Sequence, residues 1–334
     1  MNITIIGAGA WGTALAVSLA ARHRVTLWAR DAEQLAAMRA RRCNQRYLPS
    51  VTLPDNLLLS ADFPAALTGA DLLVVAVPTA AFRSTLHTIV QSGLCVSACS
   101  VVWLCKGFEA GTALLPHQIA GQVLPHGFQC GVLSGPSFAL EVAQGLPTAL
   151  VLAASDEAFA QRIAHALHHS RLRVYASNDV VGVEVGGAVK NVMAIAAGVC
   201  DGMKLGNNAR AALITRGLAE ITRLGLKLGG HQETLGGLSG AGDLILTCTG
   251  DLSRNRRVGL LLAQQQGLDE ILLQLGHVAE GVYAVREVHQ LAQRLGVDMP
   301  ISDAVYRVLY EHIPAAEMVA TLLNRTASLE FSQS

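Results

Sequence analysis

The stretch NITIIGAGAWG, residues 2–12, decides the fold class of this chain. Its first five residues predict a buried strand, and Gly7, Gly9 and Gly12 follow with the spacing G-x-G-x-x-G. Gly7 permits a tight turn, Gly9 lets a pyrophosphate approach the backbone, and Gly12 lets the next helix pack close to the sheet. Because free amides at a helix N-terminus bind phosphate, the stretch predicts a dinucleotide site that begins an α/β domain.

The first half of the chain alternates short apolar runs with segments of helical period. The predicted strands cover residues 2–6, 24–28, 57–59, 72–77, 101–105, 131–134, 149–153 and 172–175. The run LLVVAV at 72–77 is apolar throughout, as expected of a parallel strand that is covered on both faces. Strands that alternate with helices predict βαβ units with right-handed crossovers, and therefore a doubly wound sheet.

Strand signals stop near Ser177, and the remaining sequence has helical periodicity. Helices are predicted at 180–203, 208–228, 256–266, 282–295, 302–311 and 315–322, with Gly- and Asn-rich breaks at 202–208, 229–242 and 276–281. A chain of 334 residues exceeds the size at which one core usually stops growing, so two domains are expected. The sequence predicts a Rossmann-type doubly wound domain at 1–178 and an all-helical domain at 179–334.

The composition argues against several classes of partner. Lys and Arg total 25, as do Asp and Glu, so no net field directs the chain to nucleic acid or to an anionic membrane. No uncharged run reaches the roughly 18 residues of a membrane-spanning helix. The seven cysteines lack C-x-x-C pairing, and His165, His168 and His169 suit a solvated helix face better than a metal site. We therefore expect a soluble cytoplasmic protein without a bound metal.

The second predicted strand ends in Ala29-Arg30-Asp31, where cofactor specificity is often set. An acid near this position suits the ribose hydroxyls of NAD, whereas an arginine suits the 2′-phosphate of NADP. Asp31, with Gln34 three residues later, is typical of a helix N-cap, which leaves Arg30 to face the ribose. The alternative is a solvated arginine at the strand end. The pattern favours NADPH over NADH and allows both.

The stretch EVGGAVKN, residues 184–191, lies in an apolar segment whose only charges are Glu184 and Lys190. A buried ammonium loses its hydration unless a partner or a ligand replaces it. Gly186 and Gly187 would let another group approach the helix backbone closely. The segment predicts a helix that lines a site. The alternative is a lysine that reaches solvent through its methylene stem.

Three further segments carry polar groups at positions where a ligand could bind. Lys106 directly follows a predicted strand, and the carboxyl ends of parallel strands are where ligands bind in open α/β sheets. The segment SGPSFA at 134–139 also follows a strand and can begin a helix, although it could equally be a structural cap. Asp243 ends a glycine-rich loop and could be only an N-cap, while the basic run at 251–257 suits a phosphate or an ordinary surface.

Taken together, these segments resemble the bacterial NAD(P)-dependent glycerol-3-phosphate dehydrogenase family over essentially the whole chain. The segments that carry the resemblance are 7–16, 106–109, 134–142, 184–192, 238–244, 247–249, 253–255 and 280–281. Relatives often carry other residues where this chain has Ala10, Trp11 and Cys105. None of the three departures touches the chemistry that the resemblance implies.

The resemblance implies interconversion of dihydroxyacetone phosphate and sn-glycerol 3-phosphate, with Lys190 as the catalytic acid and base. It places the substrate against Lys106, Gly135, Ser137, Lys190, Asp243, Ser253, Arg254 and Asn255. It places NADP or NAD, with NADPH preferred, against Gly7, Gly9, Ala10, Trp11, Gly12, Arg30, Lys106, Ala139, Arg254, Val278 and Glu280. The implied role is to supply glycerol 3-phosphate for phospholipid synthesis.

Two other functions remain open from the sequence. One is a related two-domain β-hydroxyacid dehydrogenase with a carboxylate substrate, and the other is a dinucleotide sensor without turnover. The presence of Lys106, Lys190 and Asp243 together argues against the sensor. The expected partner is a small phosphorylated three-carbon substrate, with no nucleic acid and no membrane insertion, and a homodimer is one option for the assembly.

Overall fold

The computed structural model describes residues 1–94, 99–276 and 279–324. Ten strands lie in its first half. They are β1 (Asn2–Ile6), β2 (Arg24–Trp28), β3 (Cys43–Asn44), β4 (Leu48–Thr52), β5 (Leu58–Ser60), β6 (Leu72–Val75), β7 (Ser100–Trp103), β8 (Cys130–Ser134), β9 (Thr148–Ala153) and β10 (Leu172–Ser177). All eight predicted strands are present, with ends that differ by at most two residues.

Eight of the strands form one sheet in the order β10-β9-β8-β7-β6-β1-β2-β5. Neighbouring strands are parallel except β8 and β9, which pair in antiparallel fashion. This one pairing departs from the βαβ pattern that the sequence predicts. The chain between β8 and β9 carries only a five-residue helix, which is too short for the crossover that a parallel connection needs.

Within the residues that the structure describes, seven helices accompany the sheet and nine more follow it. The helices of the first half are α1 (Ala10–Ala20), α2 (Ala32–Arg41), α3 (Phe63–Leu67), α4 (Thr79–Gln91), α5 (Pro116–Val123), α6 (Ala139–Ala143) and α7 (Glu157–Leu167). Those of the second half are α8 (Val180–Gly202), α9 (Asn207–Lys227), α10 (Gln232–Gly236), α11 (Asp243–Thr249), α12 (Arg254–Leu262), α13 (Leu268–Leu275), α14 (Glu280–Leu295), α15 (Pro300–Tyr310) and α16 (Ala315–Leu323). The Rossmann-type sheet is thus followed by a helical half.

Several elements were not expected from the sequence. The segment 229–242, predicted as a break, contains α10 and a π-helical turn, Leu238–Gly242, which runs directly into α11. Helix α13 was also missed. So was the small antiparallel pair β3–β4, because β3 has only two residues and β4 carries Pro49. These elements are short, and periodicity has little power over so few residues.

Helix α8 is the core of the helical half. All its residues from Gly182 to Cys200 are buried, Glu184 and Lys190 included. The helix is long and apolar enough to cross a membrane, but 89% of its most apolar window is buried inside the protein, as in the core helix of a soluble protein. Its N-terminus is capped by Asp179, two residues after the last strand of the sheet ends. Side chains on α8 therefore lie next to the carboxyl ends of the strands.

Candidate active site

Two lysines from different halves of the chain meet on one carboxylate. Lys106 lies just beyond β7, and its Nζ donates to Oδ2 of Asp243 at 2.7 Å. Lys190, on α8, forms an ion pair with Oδ1 of the same Asp243. The side chains are 14%, 8% and 2% exposed for Lys106, Lys190 and Asp243. The side chains of these three candidate site residues therefore meet at Asp243.

Burial lowers the pKa of Lys190 to about 8. The loss of hydration is the largest cause, Asp243 opposes it, and the neighbouring charge of Lys106 adds to it. Arg254, by contrast, is exposed, and its charge acts on the carboxyl of Glu280. The resulting pKa suits a group that gives and takes a proton near neutral pH.

Asp243 reaches the lysines because two glycine-bearing segments approach closely. A Cβ added to Gly186 of α8 would lie 2.6 Å from the carbonyl oxygen of Ser239, in the π-helical turn. The turn can therefore lie directly on α8, and it delivers Asp243 as the first residue of α11. Asp243 does not cap this helix, since Gly242 occupies the cap position. The alternative role of Asp243 as an N-cap is wrong.

The buried carboxylate of Glu184, also on α8, has a structural role. Its carboxylate accepts hydrogen bonds from Trp103 Nε1 at 2.8 Å and from the His117 backbone N–H at 3.0 Å, and lies 2.6 Å from His117 Nδ1. Burial raises the pKa of Glu184, and these hydrogen bonds oppose the rise. Glu184 joins α8 to β7 and α5, so Lys190 and not Glu184 lies in the site.

The segment from Ser253 to Asn255 begins helix α12 beside the lysines. The Ser253 hydroxyl accepts from the Arg256 N–H at 3.2 Å and so caps the helix. The Asn255 amide donates to Asn191 Oδ1 at 2.9 Å and accepts from the Gly281 N–H at 3.0 Å. Asn191 was not predicted as a site residue. Its position directly after Lys190 was the available signal.

Gly135, Ser137 and Glu280 lie close to the lysines. The Gly135 carbonyl accepts from Lys106 Nζ at 3.1 Å and from the Ser137 hydroxyl at 3.0 Å. Ser137 therefore does not cap α6, whose cap position is Phe138. Burial raises the pKa of Glu280, while the charges of Arg254, Lys106 and Lys190 oppose the rise, which places this carboxyl near all three. Val278 lies outside the described residues.

The glycine-rich loop has the shape that a pyrophosphate requires. Gly7 has φ +119°, and a Cβ there would lie 2.5 Å from the Ala76 carbonyl oxygen. A Cβ on Gly12 would overlap the Gly7 carbonyl oxygen, whereas around Gly9 there is open space for 4 Å. Two residues that the sequence argument missed, Gln34 and Asn44, donate to the Ala8 carbonyl oxygen at 3.1 and 3.0 Å. These hydrogen bonds fix the loop at Ala8, while the space beside Gly9 stays open for a ligand.

The remaining predicted cofactor residues surround this loop. Ala10 and Trp11 begin α1 and pack against the same small apolar cluster as Ala139 of α6. Arg30 is exposed just beyond β2, and Asp31 caps α2 by accepting from the Gln34 N–H at 3.0 Å. The expected capping role of Asp31 is therefore confirmed, and the cofactor role of Arg30 stays a prediction.

Two family models together match nearly the whole chain. The N-terminal domain of NAD-dependent glycerol-3-phosphate dehydrogenase matches residues 2–160, and its C-terminal domain matches residues 179–320. The chain belongs to the NAD-dependent glycerol-3-phosphate dehydrogenase family. It is accordingly an NAD(P)-dependent oxidoreductase, and the family resemblance found in the sequence is confirmed.

Individual members of the glycerol-3-phosphate dehydrogenase family align along the full chain. The glycerol-3-phosphate dehydrogenases [NAD(P)+] of Thiobacillus denitrificans and Nitrosomonas eutropha are 60% and 59% identical, over 99% of this chain and 100% and 99% of theirs. The crystal structure of the Coxiella burnetii glycerol-3-phosphate dehydrogenase is similar with a TM-score of 0.92 at 42% identity, covering 97% of this chain and 99% of that one.

More distant structures share the fold alone. A ketopantoate reductase from Ralstonia eutropha has a TM-score of 0.59 at 16% identity, and a D-mandelate dehydrogenase has 0.60 at 15%. At these identities the likeness shows a shared fold and no more.

Proposed function

We propose that this protein interconverts dihydroxyacetone phosphate and sn-glycerol 3-phosphate, with Lys190 giving and taking the proton at the substrate oxygen. The observation that carries the proposal is the buried contact of Lys106 and Lys190 with Asp243 at the carboxyl edge of the sheet. When bound, the nicotinamide cofactor supplies or accepts the hydride at the central carbon. The protein must then supply a proton donor, a phosphate site and a cofactor site.

Lys190 supports the proton step through its pKa of about 8. Near neutral pH the ammonium is protonated but gives up its proton far more readily than an ordinary lysine, as general acid catalysis requires. Asp243 holds the amine in place, and Lys106 keeps a positive charge beside it. A developing negative charge on the substrate oxygen would therefore meet two cations in a dry environment.

The N-terminus of α12 supports phosphate binding. Arg254 is the first residue of this helix, and its guanidinium can hold a phosphate through paired donors. Asn255 is fixed by Asn191 and by the Gly281 N–H, so its remaining amide hydrogen has a defined direction. Binding the phosphate here would fix the carbonyl relative to the cofactor, which is a positioning effect.

The cofactor proposal rests on the open space at Gly9 and on the exposed Arg30. The backbone amides at the start of α1 would hold the pyrophosphate, with Trp11 and Ala139 nearby. Glu280, near both lysines, is proposed to contact the cofactor as well. The Arg30 guanidinium would pair with the 2′-phosphate of NADP, so we propose that NADPH is preferred and NADH is accepted.

We also propose a domain boundary, a location and assembly for the protein, and a use for its product. The domain boundary is placed at 178/179, which is supported by the end of β10 at Ser177 and the start of α8 at Val180. The protein is proposed to act in the cytoplasm, as a homodimer and without nucleic acid. Its product is proposed to supply phospholipid synthesis.

The proposal is tested by following NADPH absorbance with the purified protein. Dihydroxyacetone phosphate should be reduced far faster than unphosphorylated dihydroxyacetone, because the phosphate site contributes binding energy to the reaction. Ketopantoate serves as the carboxylate comparison and should be a poor substrate. Faster reduction of ketopantoate than of dihydroxyacetone phosphate would contradict the proposal.

A further inference from the structure

Ser134 is a buried polar residue that neither the fold nor the proposed proton step uses. It is the last residue of β8 and is only 2% exposed. Its hydroxyl has no hydrogen-bond partner among the residues that the structure describes. Buried polar groups nearly always have partners, since an unpaired one loses the hydrogen bonds that water would provide. The missing partner of Ser134 therefore calls for an explanation.

The Ser134 hydroxyl lies close to the side chain of Lys106 and to helix α8, which carries Lys190. It is 3.1 Å from the point where a Cβ of Gly187 would stand, and the Cγ and Cδ atoms of Lys106 are 3.5 Å from the same point. Gly187 precedes Lys190 by three residues, so the two share a face of α8. The next residue in the chain, Gly135, accepts from Lys106 Nζ. The hydroxyl thus lies between the Lys106 stem and the face of α8 that carries Lys190.

The chemistry of the substrate identifies a partner for this hydroxyl. Dihydroxyacetone phosphate has three polar parts: a phosphate, a carbonyl and a free hydroxyl. The charged groups account for the first two, since Arg254 suits the phosphate and Lys190 the carbonyl oxygen. A neutral serine can both donate and accept, which suits a neutral hydroxyl. We propose that Ser134 binds the free hydroxyl of the substrate and so selects a hydroxymethyl ketone over a methyl ketone.

This inference rests on the proposed function and makes Ser134 a specificity residue for it. The test compares dihydroxyacetone phosphate with hydroxyacetone phosphate, which has a methyl group in place of the free hydroxymethyl group. Both are assayed with the unaltered enzyme and with Ser134→Ala. A matched control is Ser100→Ala, because Ser100 is a buried serine at the amino end of β7, away from the carboxyl ends of the strands.

Ser134→Ala should lower kcat/KM for dihydroxyacetone phosphate about tenfold, the scale of one neutral hydrogen bond. It should leave kcat/KM for hydroxyacetone phosphate nearly unchanged, since that compound has no hydroxyl to lose. The unfolding temperature should stay the same or rise, because no bond within the protein is removed. Ser100→Ala should not change the ratio of the two substrates.

An equal loss for both substrates, or no loss for either, would overturn the assignment of Ser134 while leaving the proposed function intact. Failure of the unaltered enzyme to reduce dihydroxyacetone phosphate would instead overturn the proposed function itself. A loss of stability in Ser134→Ala without a change in substrate ratio would show that the hydroxyl serves the fold.

Discussion

At the scale of single residues, the site depends on one carboxylate that contacts two amines. Asp243 is 2% exposed and touches both Lys106 and Lys190. Loss of hydration on burial is the largest cause that lowers the pKa of Lys190 to about 8; Asp243 opposes it, and the charge of Lys106 adds to it. The direction of each contribution can be tested by pH.

The first prediction concerns the pH dependence of the two reaction directions. Reduction uses protonated Lys190, so its kcat should fall as the pH rises through about 8, whereas oxidation of glycerol 3-phosphate uses the neutral amine and should rise there. Lys190→Ala should lower kcat by about 10² or more in both directions and remove this pH step. The measurement is kcat for reduction and for oxidation across pH 6–10, in steps of about half a pH unit. Near-normal turnover in the variant would exclude Lys190 from the proton step.

Asp243→Asn is the control that tests how the charge of Asp243 affects the pKa of Lys190. Asp243 raises the pKa of Lys190 and so opposes the effect of burial. Its neutral replacement should move the fall in reduction rate to lower pH. A shift to higher pH would mean that Asp243 acts on Lys190 in some way other than through its charge.

The second prediction concerns Arg30 and the choice of cofactor. The unaltered enzyme should prefer NADPH over NADH by about tenfold to a hundredfold, the range expected for one paired charge contact at an exposed position. Arg30→Ala should weaken NADPH and leave NADH largely as it was, as measured by fluorescence titration. Gln34 is not substituted in this test, because its side chain donates to the Ala8 carbonyl oxygen and so holds the glycine loop. Equal weakening of both cofactors would assign Arg30 a stacking or structural role.

At the scale of elements, the position of α12 depends on its close crossing with α8. A Cβ on Gly198 of α8 would overlap the carbonyl oxygen of Arg256, and one on Gly259 of α12 would overlap that of Ile195. The two backbones therefore touch directly at this crossing. The N-terminus of α12, with Arg254 and Asn255, is held beside Lys190 by this contact.

The third prediction follows from this crossing. Gly198→Ala should destabilise the protein by about 3 kcal/mol, because backbone atoms cannot move aside as a flexible side chain can. It should also raise KM for the phosphorylated substrate by displacing Arg254. The control is Gly121→Ala on α5, where an added Cβ meets nothing within 4 Å, and which should stabilise the protein by about 0.5–1 kcal/mol. Urea unfolding measures the change in stability of both variants. An unchanged free energy of unfolding in Gly198→Ala would show that the two helices can separate without cost.

At the scale of the whole molecule, cofactor binding and folding can be separated at the glycine loop. An added Cβ at Gly9 meets nothing within 4 Å, and its φ of −72° suits any residue. Gly9→Ala should therefore fold normally but obstruct the pyrophosphate. Gly12→Ala, in contrast, would overlap the Gly7 carbonyl oxygen and should be destabilised without any cofactor.

The fourth prediction is a difference in thermal stability with and without NADPH. The unaltered protein should gain about 2.7 kcal/mol at a hundredfold excess over Kd, since only the folded state binds. Gly9→Ala should unfold at the same temperature as the unaltered protein when cofactor is absent, and should gain little when it is added. A full gain in Gly9→Ala would mean that the cofactor does not approach the backbone at this residue.

The sequence predicted long and strongly patterned elements better than short ones. The predicted ends agree to within two residues for the eight strands of the large sheet and for helices α8, α9, α14 and α15. In these elements the apolar residues recur with the spacing of a strand or a helix. The direction of β9, the β3–β4 pair and the π-helical turn before Asp243 were not predicted. Each of these depends on contacts with segments far away in the chain.

For the site, the sequence by itself determined which residue types were present and where a ligand could approach a backbone. It indicated Lys106, Lys190 and Asp243 as candidates, together with the glycine loop, because charge in an apolar segment and glycine after a strand have few other uses. Only the tertiary structure decided that Asp243 touches both lysines, that Glu184 serves the fold, and that Ser134 is buried without a partner. The physical reason is that hydration and pairing depend on neighbours in space, and those neighbours are 53 to 137 residues apart in the case of the lysines and their shared carboxylate.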